Sequence, residues 1–228
     1  MSEQPRLFEF RMGERSPDTL VVSDANRDAA RLLTEWPTWP SGALALIGPK
    51  GSGKTHLALA WAIEVGARQL EPGSGPDAAA AAFRDGAGRL LIEDAEAVDE
   101  TALWRVLDMA RAGGGAALLT GVKAPREWVV ELPDLRSRLA ALPVARLKEP
   151  DEALMDVVLR RICREQFIQL SDDAAQYLVR RLPRTFAAAQ ACAAALDAEL
   201  VRGAKPVSLA IAKKALARME AARVGEDG

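Results

Sequence analysis

Residues 43–47 read Ala43-Leu-Ala-Leu-Ile47, and residues 48–55 read Gly48-Pro49-Lys50-Gly51-Ser52-Gly53-Lys54-Thr55. A short apolar run between glycines predicts a buried strand of a parallel sheet, because such strands are covered on both faces. The eight residues after it match G-x-x-x-x-G-K-[ST] at every fixed position. Glycines let such a loop turn its backbone N–H groups inward onto phosphate oxygens, and the helix that follows adds the positive end of its dipole. Lys54 would reach the β and γ phosphates, and the Thr55 hydroxyl would be a Mg²⁺ ligand. The context agrees, since Leu57, Trp61 and Val65 recur at helical spacing directly downstream. His56, the sole histidine of the sequence, extends the run of nucleotide-contacting positions but is assigned no chemistry of its own.

Outward from this loop, Arg89-Leu-Leu-Ile92 predicts a second buried strand that ends in Glu93-Asp94. Ligands of open α/β sheets sit at the carboxyl ends of strands, so this acid pair fits the Walker B role beside Mg²⁺. Glu93 stands where Asp is usual, and its extra methylene moves a carboxylate in a coordination sphere of strict geometry. The expectation is that nucleotide binding survives and that intrinsic hydrolysis is weak or altered. Ala-rich and Leu-rich runs predict further strands at 116–119 and 143–147, and a short one at 21–22. Helices are predicted over 26–33, 54–65, 77–84 and from an Asp99 cap through 110. Alternating strands and helices predict a parallel sheet covered on both faces.

From Glu149-Pro150 onward the pattern is helical, over 152–165, 172–181, 185–201 and 207–222, with Ser171 and Ser208 as candidate caps. The expected organisation is a flexible tail at 1–17, a P-loop domain at 18–149 and a four-helix domain at 150–228. The 228 residues carry 30 basic and 32 acidic side chains, a net charge of −2. That balance argues against a chain built to coat nucleic acid, and no direct sequence-specific DNA binding is expected. Cys163 and Cys192 fall in helical patterns without metal-ligand spacing, so buried thiols are expected. No apolar run reaches the ~18 residues of a membrane span, and the first residues lack a signal-peptide core, so a cytoplasmic location is expected.

At residues 53–57, Gly-Lys-Thr-His-Leu, the sequence resembles the DnaA branch of AAA+ ATPases, and the resemblance runs from about Val21 to Arg218. It implies an AAA+ P-loop base domain followed by a small helical lid. Asp134-Leu-Arg-Ser-Arg138-Leu is similar to the family's arginine-finger box, which implies that Arg138 acts in trans on a neighbour's γ-phosphate. Leu182-Pro-Arg184-Thr-Phe resembles the start of the lid helix, which implies that Arg184 is the sensor 2 arginine and contacts nucleotide. Thr120 falls where a polar sensor 1 is expected, although Val122 stands close to where initiators carry an acid. The implied cofactors are ADP or ATP with Mg²⁺ held through Thr55 and Glu93.

Initiators of this branch continue into a helix-turn-helix DNA-binding domain, whereas this sequence ends at Gly228 after the last lid helix. The stretch between the P-loop helix and the acid-tipped strand is also short for DNA-contacting insertions. The resemblance therefore narrows to the DnaA-related regulators typified by Hda and HdaA. Gln4-Pro-Arg-Leu7-Phe8 resembles the Q-x-x-L-F peptide that docks replication proteins on the sliding clamp, the β subunit of DNA polymerase III. Leu7 and Phe8 would fill an apolar pocket while Gln4 supplies hydrogen bonds. The implied partners are the DnaA initiator and the clamp, with homo-oligomerisation also open. The expected function is nucleotide-switched negative control of replication initiation through hydrolysis of DnaA-bound ATP. A DnaC-like helicase loader, an AAA+ ATPase acting directly on DNA, and an adaptor that binds nucleotide without turnover are the alternatives.

Overall fold

The computed structural model describes residues 22–200 and 206–226. The chain divides into two compact units, the first ending at Lys148 and the second beginning at Glu149. The first unit holds five parallel strands: β1 (Ala43–Ile47), β2 (Arg68–Gln69), β3 (Arg89–Ile92), β4 (Ala116–Gly121) and β5 (Val144–Arg146). Their order across the sheet is β2-β3-β4-β1-β5. Every residue of β1 and β4 is buried, as the uninterrupted apolar runs require of central parallel strands.

Helices α1 (Arg27–Thr34), α2 (Lys54–Val65), α3 (Pro76–Asp85), α4 (Glu100–Gly113) and α5 (Pro133–Ala141) cover this sheet. Successive residues of a strand point to opposite faces, so one strand feeds two cores. Leu118 packs with Leu46, Trp61 and Leu147, whereas Leu119 packs with Ile92, Leu107 and Leu139. Asp99 caps α4 by accepting the Ala102 N–H at 2.8 Å. The apolar stripe of α4, including Leu103, Val106 and Leu107, is buried behind that cap.

Two of these elements were invisible in the sequence. β2 is two exposed residues, defined only by pairing with Leu90 and Leu91. α5 has no side-chain cap at its own N-terminus. Instead the Glu100 carboxylate accepts the N–H groups of Glu131 and Leu132, at 2.8 and 3.0 Å. Of the strand expected at 21–22, Val21 lies outside the described residues and Val22 is not in a strand. The turn that follows takes its hydrogen bonds locally: Ser23 N–H donates to Asn26 Oδ1, and Ala25 N–H to Ser23 Oγ.

The second unit comprises α6 (Glu152–Glu165), α7 (Asp172–Val179), α8 (Phe186–Glu199) and α9 (Leu209–Glu226). Asp151, Ser171 and Thr185 each accept a helix-start N–H, from Leu154, Ala174 and Ala188. Val207, expected in the last helix, instead forms a bridge with Leu170. Cys163 and Cys192 are free and buried, and burial pushes their thiols up to about 11 and about 12. They are packing residues. No described helix is long and apolar enough to cross a membrane.

Candidate functional site

The P-loop leaves the carboxyl end of β1 and enters α2 at Lys54. Gly51 and Gly53 have φ of 77° and 92°, a conformation that side-chain-bearing residues rarely adopt. Gly48 is required for a different reason. A Cβ there would lie 2.8 Å from the Leu147 carbonyl oxygen and 2.9 Å from Ser52 Oγ. Lys54 Nζ folds back over the loop and donates to the carbonyls of Gly48 and Pro49, both at 2.9 Å. Partial burial lowers its ammonium below the usual range, while Asp94, Glu96 and Glu93, in that order, pull it back up. Thr55 is exposed and His56 half-buried on the first turn of α2; Pro49 is half-buried, and Lys50 is exposed.

Ser52 is 5% exposed, and its Oγ is buried without a hydrogen-bond partner among the described residues. A buried hydroxyl left unpaired costs free energy, so this atom asks for a partner. The loop therefore offers a glycine cradle, an orphaned hydroxyl, a lysine and the N-terminus of a twelve-residue helix. These groups fit the phosphates of a nucleotide.

β4 lies between β1 and β3, so Thr120 sits between the P-loop strand and the acid-bearing strand, opposite Leu46. Thr120 is 2% exposed, and its Oγ1 accepts the backbone N–H of Asp94 at 3.0 Å. Asp94 adopts a left-handed conformation, φ 45°, and is exposed. Glu93 is engaged elsewhere: Gln69 Nε2, on edge strand β2, donates to its Oε2 at 2.9 Å. Neither Gln69 nor Glu96 was singled out in the sequence. Gln69 carried no signal, but a second acid two residues beyond Asp94 could have been read. Thr55, Glu93 and Asp94 offer oxygen donors suited to a hard cation such as Mg²⁺. Among the described residues no group of three or more His, Cys, Asp or Glu side chains could hold a metal. A cation here would share phosphate oxygens, as Mg²⁺ commonly does.

Arg138 is placed far from this loop. It lies in the last turn of α5, beside a cavity of about 240 Å³ lined also by Ser41, just before β1, and Leu142, just before β5. The P-loop leaves the other end of β1. Arg138 thus sits at the opposite end of the sheet from its own phosphate loop. Arg184 belongs to the second unit, where its Nη2 donates to Glu152 Oε1 at 3.4 Å. Gln4, Leu7 and Phe8 lie outside the described residues.

No protein-family model matches the chain. An uncharacterized protein of Haemophilus influenzae is 30% identical over 150 residues, which is 60% of this chain and 65% of that protein. The chain therefore spans less than two thirds of the relative it matches. Among solved structures, domain III of the Thermotoga maritima replication initiation protein DnaA superposes with a TM-score of 0.68 at 18% identity. That match covers 87% of this chain and 94% of that one. The RuvB Holliday junction branch migration motor of Thermotoga maritima gives 0.62 at 19% identity, over 77% and 61% of the two chains. Replication initiator DnaA bound to AMPPCP and single-stranded DNA gives 0.59 at 17% identity, over 78% and 63%. The fold is that of the AAA+ P-loop NTPases, of the kind seen in DnaA domain III and RuvB.

Proposed function

We propose that this chain is an adenine-nucleotide-switched AAA+ regulator of replication initiation, of the DnaA-related kind typified by Hda and HdaA. The observation that carries the nucleotide part is the phosphate cradle, where Lys54 folds over a glycine loop and Ser52 Oγ lacks a partner. Gly48 through Thr55 would hold the phosphates, with Lys54 neutralising their charge. Thr55 would ligate Mg²⁺ together with the acid pair Glu93 and Asp94. With Glu93 engaged by Gln69, turnover within the chain itself would be slow, which suits a switch better than a motor.

The regulatory part rests on Arg138 and the N-terminal peptide. Arg138 is remote from its own P-loop, so any phosphate it serves must come from another molecule. In this reading that phosphate belongs to ATP on DnaA, and Gln4, Leu7 and Phe8 tether the protein to the DNA-loaded clamp. The test is a reconstituted reaction containing ATP-bound DnaA, DNA-loaded clamp and this protein. Wild type should accelerate hydrolysis, Arg138→Ala should not, and Leu7→Ala with Phe8→Ala should lose clamp co-elution. Full acceleration by Arg138→Ala would sink the trans mechanism. The rival reading, an ATPase acting directly on DNA, has the RuvB likeness in its favour. It requires ATP turnover that rises when DNA alone is added.

A further inference from the structure

Trp104, Asp108 and Arg111 lie on one stripe of α4, spaced four and three residues apart, and Arg138 of α5 meets that stripe. The Arg138 guanidinium carbon is 5.3 Å from the centroid of the Trp104 ring. Its Nη2 donates to Asp108 Oδ1 at 2.9 Å. Its Nη1 is buried and has no hydrogen-bond partner among the described residues. The side chain as a whole is 23% exposed.

A guanidinium stabilises phosphoryl charge by presenting a planar fork of N–H groups to two oxygens. In this pose the fork is withheld, since one terminal nitrogen is occupied by a carboxylate and the other is packed away. Two features make the pose reversible. The adjoining cavity, bordered by Ser41, Ser137 and Ala141, gives the side chain room to turn. Arg111 Nη2 also reaches Asp108 Oδ1, at 3.4 Å, so the carboxylate keeps a cation when Arg138 leaves.

We propose that Asp108 is a positioning residue that holds Arg138 docked on Trp104, and that Arg138 serves a phosphate only by exchanging Asp108 for it. The proposal rests on the reading of Arg138 as a residue that acts on another protein's nucleotide. Carboxylate and phosphate compete for the same fork, so the exchange swaps one charge-assisted pair for another. A partner that engages only the released arginine binds with an affinity reduced by the released fraction.

Two measurements test this. In the reconstituted hydrolysis reaction, Asp108→Ala and Asp108→Asn should reach half-maximal stimulation at roughly twofold to fivefold lower protein concentration, as expected for losing one surface ion pair. The plateau should not change, and Asp108→Glu, which keeps the carboxylate, should stay near wild type. A half-maximal concentration that is unchanged or higher in both variants overturns the proposal. If Asp108→Ala fails to fold, the near-isosteric Asn variant decides the outcome. Side-chain ¹⁵N NMR of Arg138 supplies the second readout. Rotation about its guanidinium should be slow in wild type and fast in Asp108→Asn, and equal rates overturn the docking whatever the assay shows. Arg138→Ala, run in parallel, separates the two ideas. If it stimulates fully, the trans reading fails; if it is inactive while the Asp108 variants behave as wild type, only the docking fails.

Discussion

Lys54 is where residue chemistry and function meet most directly. Its ammonium is satisfied by two carbonyls of its own loop, contacts that phosphate oxygens would replace. Lys54→Ala should therefore bind ADP much more weakly in calorimetry, and equal affinities for both proteins would remove the nucleotide site. Gly48 makes a separate prediction about stability. Gly48→Ala forces a methyl against the Leu147 carbonyl and Ser52 Oγ, and overpacking of this kind costs about 1–3 kcal/mol. Chemical denaturation checks that figure, and an unchanged midpoint would mean that the loop yields freely. Both positions were legible in the sequence, because a P-loop encodes its own geometry within eight residues. Gln69 was not. Its bond to Glu93 joins residues 24 positions apart, and nothing within residues 68–69 announces a strand.

At the scale of elements, legibility followed locality. The bounds of β1, α2, β3 and α6 agree with their sequence patterns, since each carries its periodicity and its stop signals within itself. α5 does not, because the N–H groups that lead into it, those of Glu131 and Leu132, are satisfied by Glu100, a residue of α4. Glu100→Ala should thus loosen α5 by an amount like the loss of a helix cap, about 1 kcal/mol. Hydrogen exchange of the Leu135 and Arg136 amides is the check, and unchanged protection would show that the cap is dispensable. Glu199 at the end of α8 makes an equivalent tie to α9, accepting from Lys214 at 2.6 Å and Arg218 at 3.2 Å. The Lys214 hydrogen bond first, and then that of Arg218, hold its carboxyl below the usual glutamate range. A depressed folded-state pKa contributes stability that is complete above the unfolded value and lost as pH falls through the folded value. Glu199→Gln should consequently melt earlier than wild type at pH 7, with the gap closing below about pH 4, near the free-glutamate pKa. A gap that persists into acid would assign the effect to packing.

For the whole molecule, the question is whether one nucleotide governs both units. A ligand bound only by the native state stabilises it by mass action, by about 2.7 kcal/mol at a free concentration one hundred times Kd. For a domain of the first unit's size this raises Tm by roughly 5–10 °C. A chain with two compact units need not melt in one step, so calorimetry can resolve which part responds. If ADP touches only the P-loop unit, its addition should move one transition and leave the helical unit where it was. The sensor 2 assignment of Arg184 predicts otherwise. An arginine of the second unit that contacts the phosphates makes that unit share the binding free energy, and both transitions should rise together. Without ligand, the pairing of Arg184 among the described residues is a long, exposed one with Glu152 at 3.4 Å, which is worth little. Arg184→Ala should therefore leave the ligand-free melting curve nearly unchanged. With ADP present it should return the helical transition to its ligand-free temperature while the P-loop transition still rises. A variant whose two transitions respond to ADP as wild type does would make Arg184 a surface charge, and the switch would have to be sought within the P-loop unit alone.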